Sequence, residues 1–169
     1  QWSEETKETP KTSALSLYDA KEYVKRALEK SEEVICFCIS EEMSSCCSVM
    51  HMAVMELEVE DKVFVVDSKN LSTGIGLMVI EAANMAQEGK SAGEIAAHME
   101  SLKQRVRASF VVDTLTYLAR GGRCTAVTAL LANTLKLHPE IVVKDGKMGV
   151  NKKYRGSLDS ALIKYVKEL

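Results

Sequence analysis

An α/β fold is predicted, with a parallel-sheet core followed by part of a second α/β subdomain that carries a β-hairpin. Three observations predict it. Short continuous apolar runs, VICFCI (34–39), VFVV (63–66) and FVV (110–112), have the pattern of strands buried on both faces. Helical periodicity fills the intervals between them, so strand and helix alternate, as in parallel sheets. After residue 112 the pattern changes to EIVVK (140–144) and KMGVNKK (147–153), joined by Asp145-Gly146, a strong hairpin-turn signal. The expected division is a parallel-sheet core over 1–112 and the start of a second subdomain over 113–169.

Taken in order, residues 1–11 read as a solvated lead-in. Ser16 and Asp19 predict a capping box, after which Leu17, Ala20, Val24, Ala27 and Leu28 recur at helical spacing. The first strand is 34–39, and a helix is expected over about 46–57. The second strand, 63–66, precedes a helix over about 73–88 that stops at Gly89. Ser91 and Glu94 form another capping box, opening a helix expected to reach about residue 107. The third strand, 110–112, is placed in the same sheet. Two helices are expected on either side of Gly121-Gly122-Arg123. The chain then forms the hairpin and closes on an amphipathic helix with Leu158, Ala161, Leu162, Tyr165 and Leu169 on one side. In such a fold the functional loops follow the carboxyl ends of the strands, here 40–45, 67–73 and 113 onward.

Composition removes several functions. Of the 169 residues 46% are hydrophobic, enough for a packed core, and the formal net charge is −2. That balance argues against a nucleic-acid surface, which carries a basic patch. Aromatic residues make up only 5%, so base-stacking platforms are not expected. No run approaches the ~18–20 apolar residues of a membrane span. The polar start QWSEETKETPK does not read as a signal peptide, and five cysteines without framework spacing predict a reducing cytoplasm.

The chemistry suggested is anion binding. Gly121-Gly122-Arg123 reads either as a helix C-cap followed by a solvated arginine or as a backbone that approaches an anion closely while Arg123 presents its planar donor fork. Ser40, Ser44 and Ser45 lie where a helix begins, either as simple N-caps or as part of an anion site built on the helix N-terminus. Gly74 and Gly76 are too few and too late for a dinucleotide fingerprint. Cys36 and Cys38 alternate on a strand and share one buried face. Cys46 or Cys47, at a helix start, is a candidate for a lowered pKa. His51, His98 and His138 lie far apart without ligand spacing, so no metal site and no cofactor are expected. No nucleophile, base and orienting group assemble, so no catalytic residue is assigned.

These residues together resemble the DegV family of bacterial fatty-acid-binding proteins. FVVDTLTYLARGGRCTAVTALLANTLKLHPEIVVKDGKM is similar to the family's strand, Asp-Thr-Leu, Tyr-Leu, Gly-Gly-Arg, helix, Pro-Ile/Leu strand and Asp-Gly turn. VVDSKNLSTGIGLMV resembles its Asp-Ser … Ser-x-Gly segment. ISEEMSS occupies the place of its Ser-Gly-Thr loop, PKTSALS that of its Thr-Ser-Gln-Pro motif, and KYRGSLDSAL that of its Arg-Gly motif. Five pieces in order, from about Pro10 onward, make the resemblance specific.

The resemblance implies the EDD fold and a long-chain fatty acid held in a tunnel between two domains. It implies a carrier, not an enzyme, that presents the acid to a separate fatty-acid kinase for phospholipid synthesis. Carried over residue by residue, Ser44 holds the carboxylate, with Ser45 beside it. Thr12 and Ser13 join it, and Arg155 lies near the head group or the kinase-facing surface. Gly121, Gly122 and Arg123 are structural, ligand-facing or partner-facing. Three departures stand out. Ser-Gly-Thr reads Ser44-Ser45-Cys46, Thr-Ser-Gln-Pro reads Thr12-Ser13-Ala14-Leu15, and the family's opening strand and its C-terminal strands, helix and histidine are not in this sequence. An internal fragment or a shortened member is therefore expected. The alternatives are a degenerate scaffold without ligand, or a phosphotransfer component similar to the substrate domain of dihydroxyacetone kinases.

Overall fold

The computed structural model describes residues 5–6, 8–9, 11–123 and 137–169. The chain divides into two compact units. One, the parallel unit, comprises Ala14–Ala108 with Asp145–Lys147. The other, the antiparallel unit, comprises Gln1–Ser13, Ser109–Lys144 and Met148–Leu169.

The parallel unit opens with α1 (Leu17–Leu28). Ser16 Oγ accepts the Asp19 N–H at 3.1 Å, as a capping serine should. The Asp19 carboxylate takes the Ser16 hydroxyl instead of completing a box through the backbone. Next come β1 (Val34–Cys38), α2 (Cys46–Glu56), β2 (Val63–Asp67), α3 (Ser72–Gln87) and α4 (Ala92–Leu102). Strands β1 and β2 pair in parallel, from Val34 opposite Val63 to Cys38 opposite Asp67.

Strand periodicity explains why both runs are apolar throughout. Val34, Cys36, Val63 and Val65 face a cluster centred on Val24 of α1 and Val54 of α2. Ile35, Phe37 and Val66 face the opposite cluster, built on Met78, Ala82, Ile95 and Met99 of α3 and α4. Each face buries its own half of the alternation, so positions 34–37 and 63–66 are all apolar, and the one charged residue of these two strands, Asp67, stands at the end of β2. Met78 and Met99 are fully buried, and each such side chain contributes roughly 1.5–3 kcal/mol.

The helix ends follow local chemistry. Gly89, at φ 82°, closes α3 with a Schellman pair, its N–H on Ala86 O and the Lys90 N–H on Met85 O. The Ser91–Glu94 capping box forms reciprocally. Helix α4 ends at Leu102, short of the expected 107. Val106 packs on the second cluster, and its carbonyl accepts from Asn70 Nδ2 at 3.1 Å, which holds the segment out of the helix. The same Asn70 side chain occupies the space a Cβ on Gly74 would need. Gly74→Ala is therefore expected to destabilise by about 1–3 kcal/mol, read as a lowered Tm.

The antiparallel unit contains β3 (Ser109–Val111), α5 (Thr116–Gly121), β4 (Leu137–Lys144), β5 (Lys147–Arg155) and α6 (Leu158–Glu168). Its three-stranded sheet runs β3-β4-β5. Here the structure corrects the sequence reading, because β3 pairs antiparallel with β4 and not with the parallel strands. An apolar triplet fits either sheet. What decides is its partner, an eight-residue strand beginning at Leu137, of which the sequence pattern showed only the second half. Leu115 and Ile141 centre the core on this sheet, with Phe110, Leu118, Met148 and Val150 packed against them. The hairpin turn is as expected, with Asp145 and Gly146 both left-handed at φ 51° and 78°. Ala161 of α6 is fully buried, whereas Leu162 and Leu169 of the predicted face are exposed. The helix expected after Arg123 lies outside the described residues. Among the described residues no helix is long and apolar enough to cross a membrane.

Candidate functional site

Strands β1 and β2 end in register, so the loops that follow them emerge at one edge of the sheet and bond to each other. The Ser68 N–H donates to Cys38 O at 3.2 Å, and the Ser40 N–H donates to Asn70 O at 3.0 Å. Ser40 and Ser68 are fully buried. Ser68 Oγ accepts the Asn70 N–H, and Ser40 Oγ accepts the Glu42 N–H, so both hydroxyls fold the loops. Lys69 and Ser72 adopt left-handed backbone at φ 50° and 47°, a strained geometry for residues with a Cβ.

Asp67 anchors this edge. Its Oδ1 accepts the N–H groups of Glu41 at 3.3 Å and Lys69 at 3.0 Å, and its Oδ2 pairs with Lys69 Nζ at 2.8 Å. Burial pushes the carboxyl pKa upward, but the Lys69 ammonium and the two backbone donors outweigh it and hold Asp67 below the usual carboxylate range. The acid is thereby neutralised within the loop.

Helices α2 and α3 begin at this edge, and their starts differ from those of the other long helices. Helices α1, α4 and α6 are capped by Ser16, Ser91 and Ser157, each with an acidic residue in the first turn. Helix α2 has no side-chain cap and no acid in its first turn, and neither has α3. The backbone explains it. The three capping serines have ψ of 157–158°, whereas Ser45 has ψ 6°, which turns its hydroxyl away from the first-turn N–H groups. At α3 the cap position is Leu71, which has no acceptor to offer. Two helix N-termini without an acid in their own first turn therefore lie at one sheet edge; at α2, Ser44 Oγ accepts the Cys46 N–H at 3.3 Å, and the Glu41 carboxylate comes within 4.8 Å of Cys47 Sγ.

Ser44 is half-buried. Its Oγ accepts the Cys46 N–H at 3.3 Å and lies 3.1 Å from Cys46 Sγ. Ser45 is exposed at φ −77°, a conformation open to any residue, so a serine here leaves the backbone unstrained. Burial raises Cys36, pushes Cys38 up to about 11 and raises Cys47 further, so the lowered pKa considered for Cys47 does not occur. Desolvation of the buried thiol outweighs the helix end.

In the antiparallel unit, Gly122 is the left-handed cap of α5 at φ 70°, its N–H on Ala119 O. Arg123 Nη1 donates to Gly121 O at 2.6 Å. The capping reading of Gly-Gly-Arg is thus correct locally. Thr12, Gly121 and Arg123 line one open cleft of about 810 Å³ with Glu8, Lys11 and Arg120. Among the described residues, that lining includes Lys11, Arg120, Arg123 and Glu8. Ser13 is exposed at the edge of this unit, and Arg155 is exposed at the end of β5. His138, which sequence reasoning left unassigned, is buried, with its ring nitrogens 3.4 Å from Val112 O and 3.1 Å from Gly156 O. It thereby fixes the turn that follows Arg155. Its position at the start of a strand gave no signal of that.

The sequence model described as "Uncharacterised protein, DegV family" matches residues 2–168. The chain belongs to the DegV family. A DegV domain-containing protein of Clostridium acetobutylicum is 34% identical over 149 residues, 86% of this chain and 52% of its own. A fatty-acid-binding DegV protein of Thermus thermophilus has a solved structure that superposes with TM-score 0.78 at 30% identity, covering 94% of this chain and 57% of its own. A DegV lipid-binding protein of Thermotoga maritima superposes with TM-score 0.80 at 27% identity, covering 95% and 56%. This DegV chain spans about half the length of the curated relatives it matches. The DegV match extends across both units, including the antiparallel unit that contains Gly-Gly-Arg.

Proposed function

We propose that this protein binds a long-chain fatty acid by its carboxylate and apolar tail and presents it to a separate fatty-acid kinase for phospholipid synthesis in the cytoplasm. The observation that carries the reading is the likeness to the fatty-acid-binding DegV protein of Thermus thermophilus over 94% of the chain. The uncapped, acid-free starts of α2 and α3 supply the physical reason. A carboxylate is what such helix ends lack, and Ser44, Ser45 and the first-turn N–H groups of α2 are the donors assigned to it. Considered by itself, the antiparallel unit contains Thr12, Ser13 and Arg155, which the family resemblance makes ligand-binding, and Gly121, Gly122 and Arg123, which it makes ligand-facing or partner-facing. The apolar tail supplies affinity, at about 0.8 kcal/mol per buried CH₂, while the head group fixes orientation.

A carrier needs no nucleophile, and the histidines have the following surroundings. His51 is exposed within α2, His98 pairs with Glu81 at 3.5 Å, and both ring nitrogens of His138 face carbonyl oxygens.

Ser44→Ala tests the head-group assignment, with binding of a ¹³C-carboxyl-labelled C16 acid followed by NMR titration. Loss of a hydrogen bond to a charged group, about 1.5–3 kcal/mol, predicts affinity lowered ~10–100-fold with the labelled carboxyl shifted. Equal affinity and an unmoved carboxyl resonance would remove Ser44 from the site. If wild type binds no acid, the degenerate-scaffold reading holds.

A further inference from the structure

The loop after β1 and the first two turns of α2 hold a group of side chains that the fatty-acid reading does not use. Glu41, Cys47 and His51 each offer one ligand atom, and these atoms all lie within 4.8 Å of one another. The helix explains two of them. Cys47 and His51 are four residues apart on α2, so they stack on one face. Glu41 is brought alongside by the turn before the helix, where its N–H is fixed on Asp67 Oδ1. Cys47 is fully buried, while Glu41 and His51 are exposed. The sulfur is thus a fixed floor, and the carboxylate and imidazole are movable walls.

We propose that Glu41, Cys47 and His51 bind one divalent transition-metal ion of the Zn²⁺ class, with a fourth position open to solvent. Bond lengths of roughly 2.0–2.3 Å in a tetrahedral zinc site place its donors about 3.3–3.7 Å apart. The observed separations therefore require an inward movement of about 1 Å, within the reach of the exposed Glu41 and His51 side chains by bond rotation. One thiol and one imidazole select a borderline-soft ion and disfavour Mg²⁺ and Ca²⁺, which take all-oxygen shells. On binding, the Cys47 S–H bond breaks, its proton passes to solvent and the sulfur's electron pair forms the Zn–S bond. The ion would tie the loop at Glu41 to the second turn of α2, bracketing Ser44 and Ser45 without consuming either.

The test uses the whole chain, reduced and stripped of metal, titrated with Co²⁺ and then with Zn²⁺ in competition with a chromophoric chelator. Expected are one equivalent of Co²⁺, a near-ultraviolet sulfur-to-metal charge-transfer band, and visible bands of a four-coordinate ion that Zn²⁺ displaces. Cys47→Ser should abolish the charge-transfer band. His51→Gln, a change at an exposed position that leaves the core intact, should weaken Zn²⁺ binding at least ~10-fold, the least that even a supporting outer-shell group is worth. His98→Gln, at a histidine that belongs to no His/Cys/Asp/Glu metal group among the described residues, should leave affinity unchanged. Absence of the charge-transfer band in the wild type, or Zn²⁺ affinity unaltered in His51→Gln, would overturn the proposal.

Discussion

Ser45→Asp is expected to weaken fatty-acid binding at least about tenfold while leaving the fold as stable as before or more so. A carboxylate at position 45 stands beside the same positive helix end that the fatty-acid head group is proposed to use. Like charges about 4 Å apart repel by roughly 1–4 kcal/mol at a protein surface, which alone reaches a tenfold loss. The helix meanwhile gains about 0.3–1 kcal/mol from an acid in its first turn, which it now lacks. The opposite signs are what make the variant informative. A substitution that merely disturbed the loop would lower both stability and affinity. Thermal unfolding and fatty-acid titration on the same preparation separate the two outcomes.

The second large effect is expected at Asp67. Asp67→Ala removes two backbone hydrogen bonds and the Lys69 ion pair at once, leaving the Glu41 and Lys69 N–H groups and a lysine ammonium without their acceptor. Loss of a charged acceptor in this half-closed setting costs about 3 kcal/mol. For a chain of this length that corresponds to a Tm lower by roughly 6–12 °C. The same carboxyl gives a pH dependence of defined sign. Its folded pKa is depressed, so its contribution is complete above the unfolded value of about 3.9 and is lost as pH falls through the lower folded value. Acid unfolding of Asp67→Ala should therefore be flatter than that of wild type below about pH 4. Parallel acid limbs in the two proteins would show that Asp67 does not anchor the loops.

The parallel unit was legible because its strands are apolar at both parities. Val34 and Cys36 serve one core cluster and Ile35 and Phe37 the other, a pattern only a doubly covered strand produces. The Ser91–Glu94 box, the Gly89 cap and the Asp145-Gly146 turn were legible because each is a local rule. The strand 109–111 was misplaced because three apolar residues carry no partner information, and its partner β4 lies more than 25 residues further on. The uncapped state of α2 was not legible either. A serine does stand at the cap, and only its ψ shows that its hydroxyl is turned away. The Glu41-Cys47-His51 group left one overlooked trace, the four-residue spacing of Cys47 and His51, which joins a cysteine to a histidine where a search for paired cysteines or paired histidines finds nothing. Glu41 enters that group only through the turn that Asp67 holds.

The central claim is that this chain carries an acyl lipid, and its most direct test is compositional. The protein, purified in detergent-free buffer, is sprayed intact under native conditions and in parallel extracted with organic solvent for mass spectrometry of the lipids. The account predicts one fatty acid per chain, released on extraction as a free acid, and rebinding of the same acid to stripped protein. A chain that emerges empty and takes up no fatty acid when it is supplied in excess would contradict it.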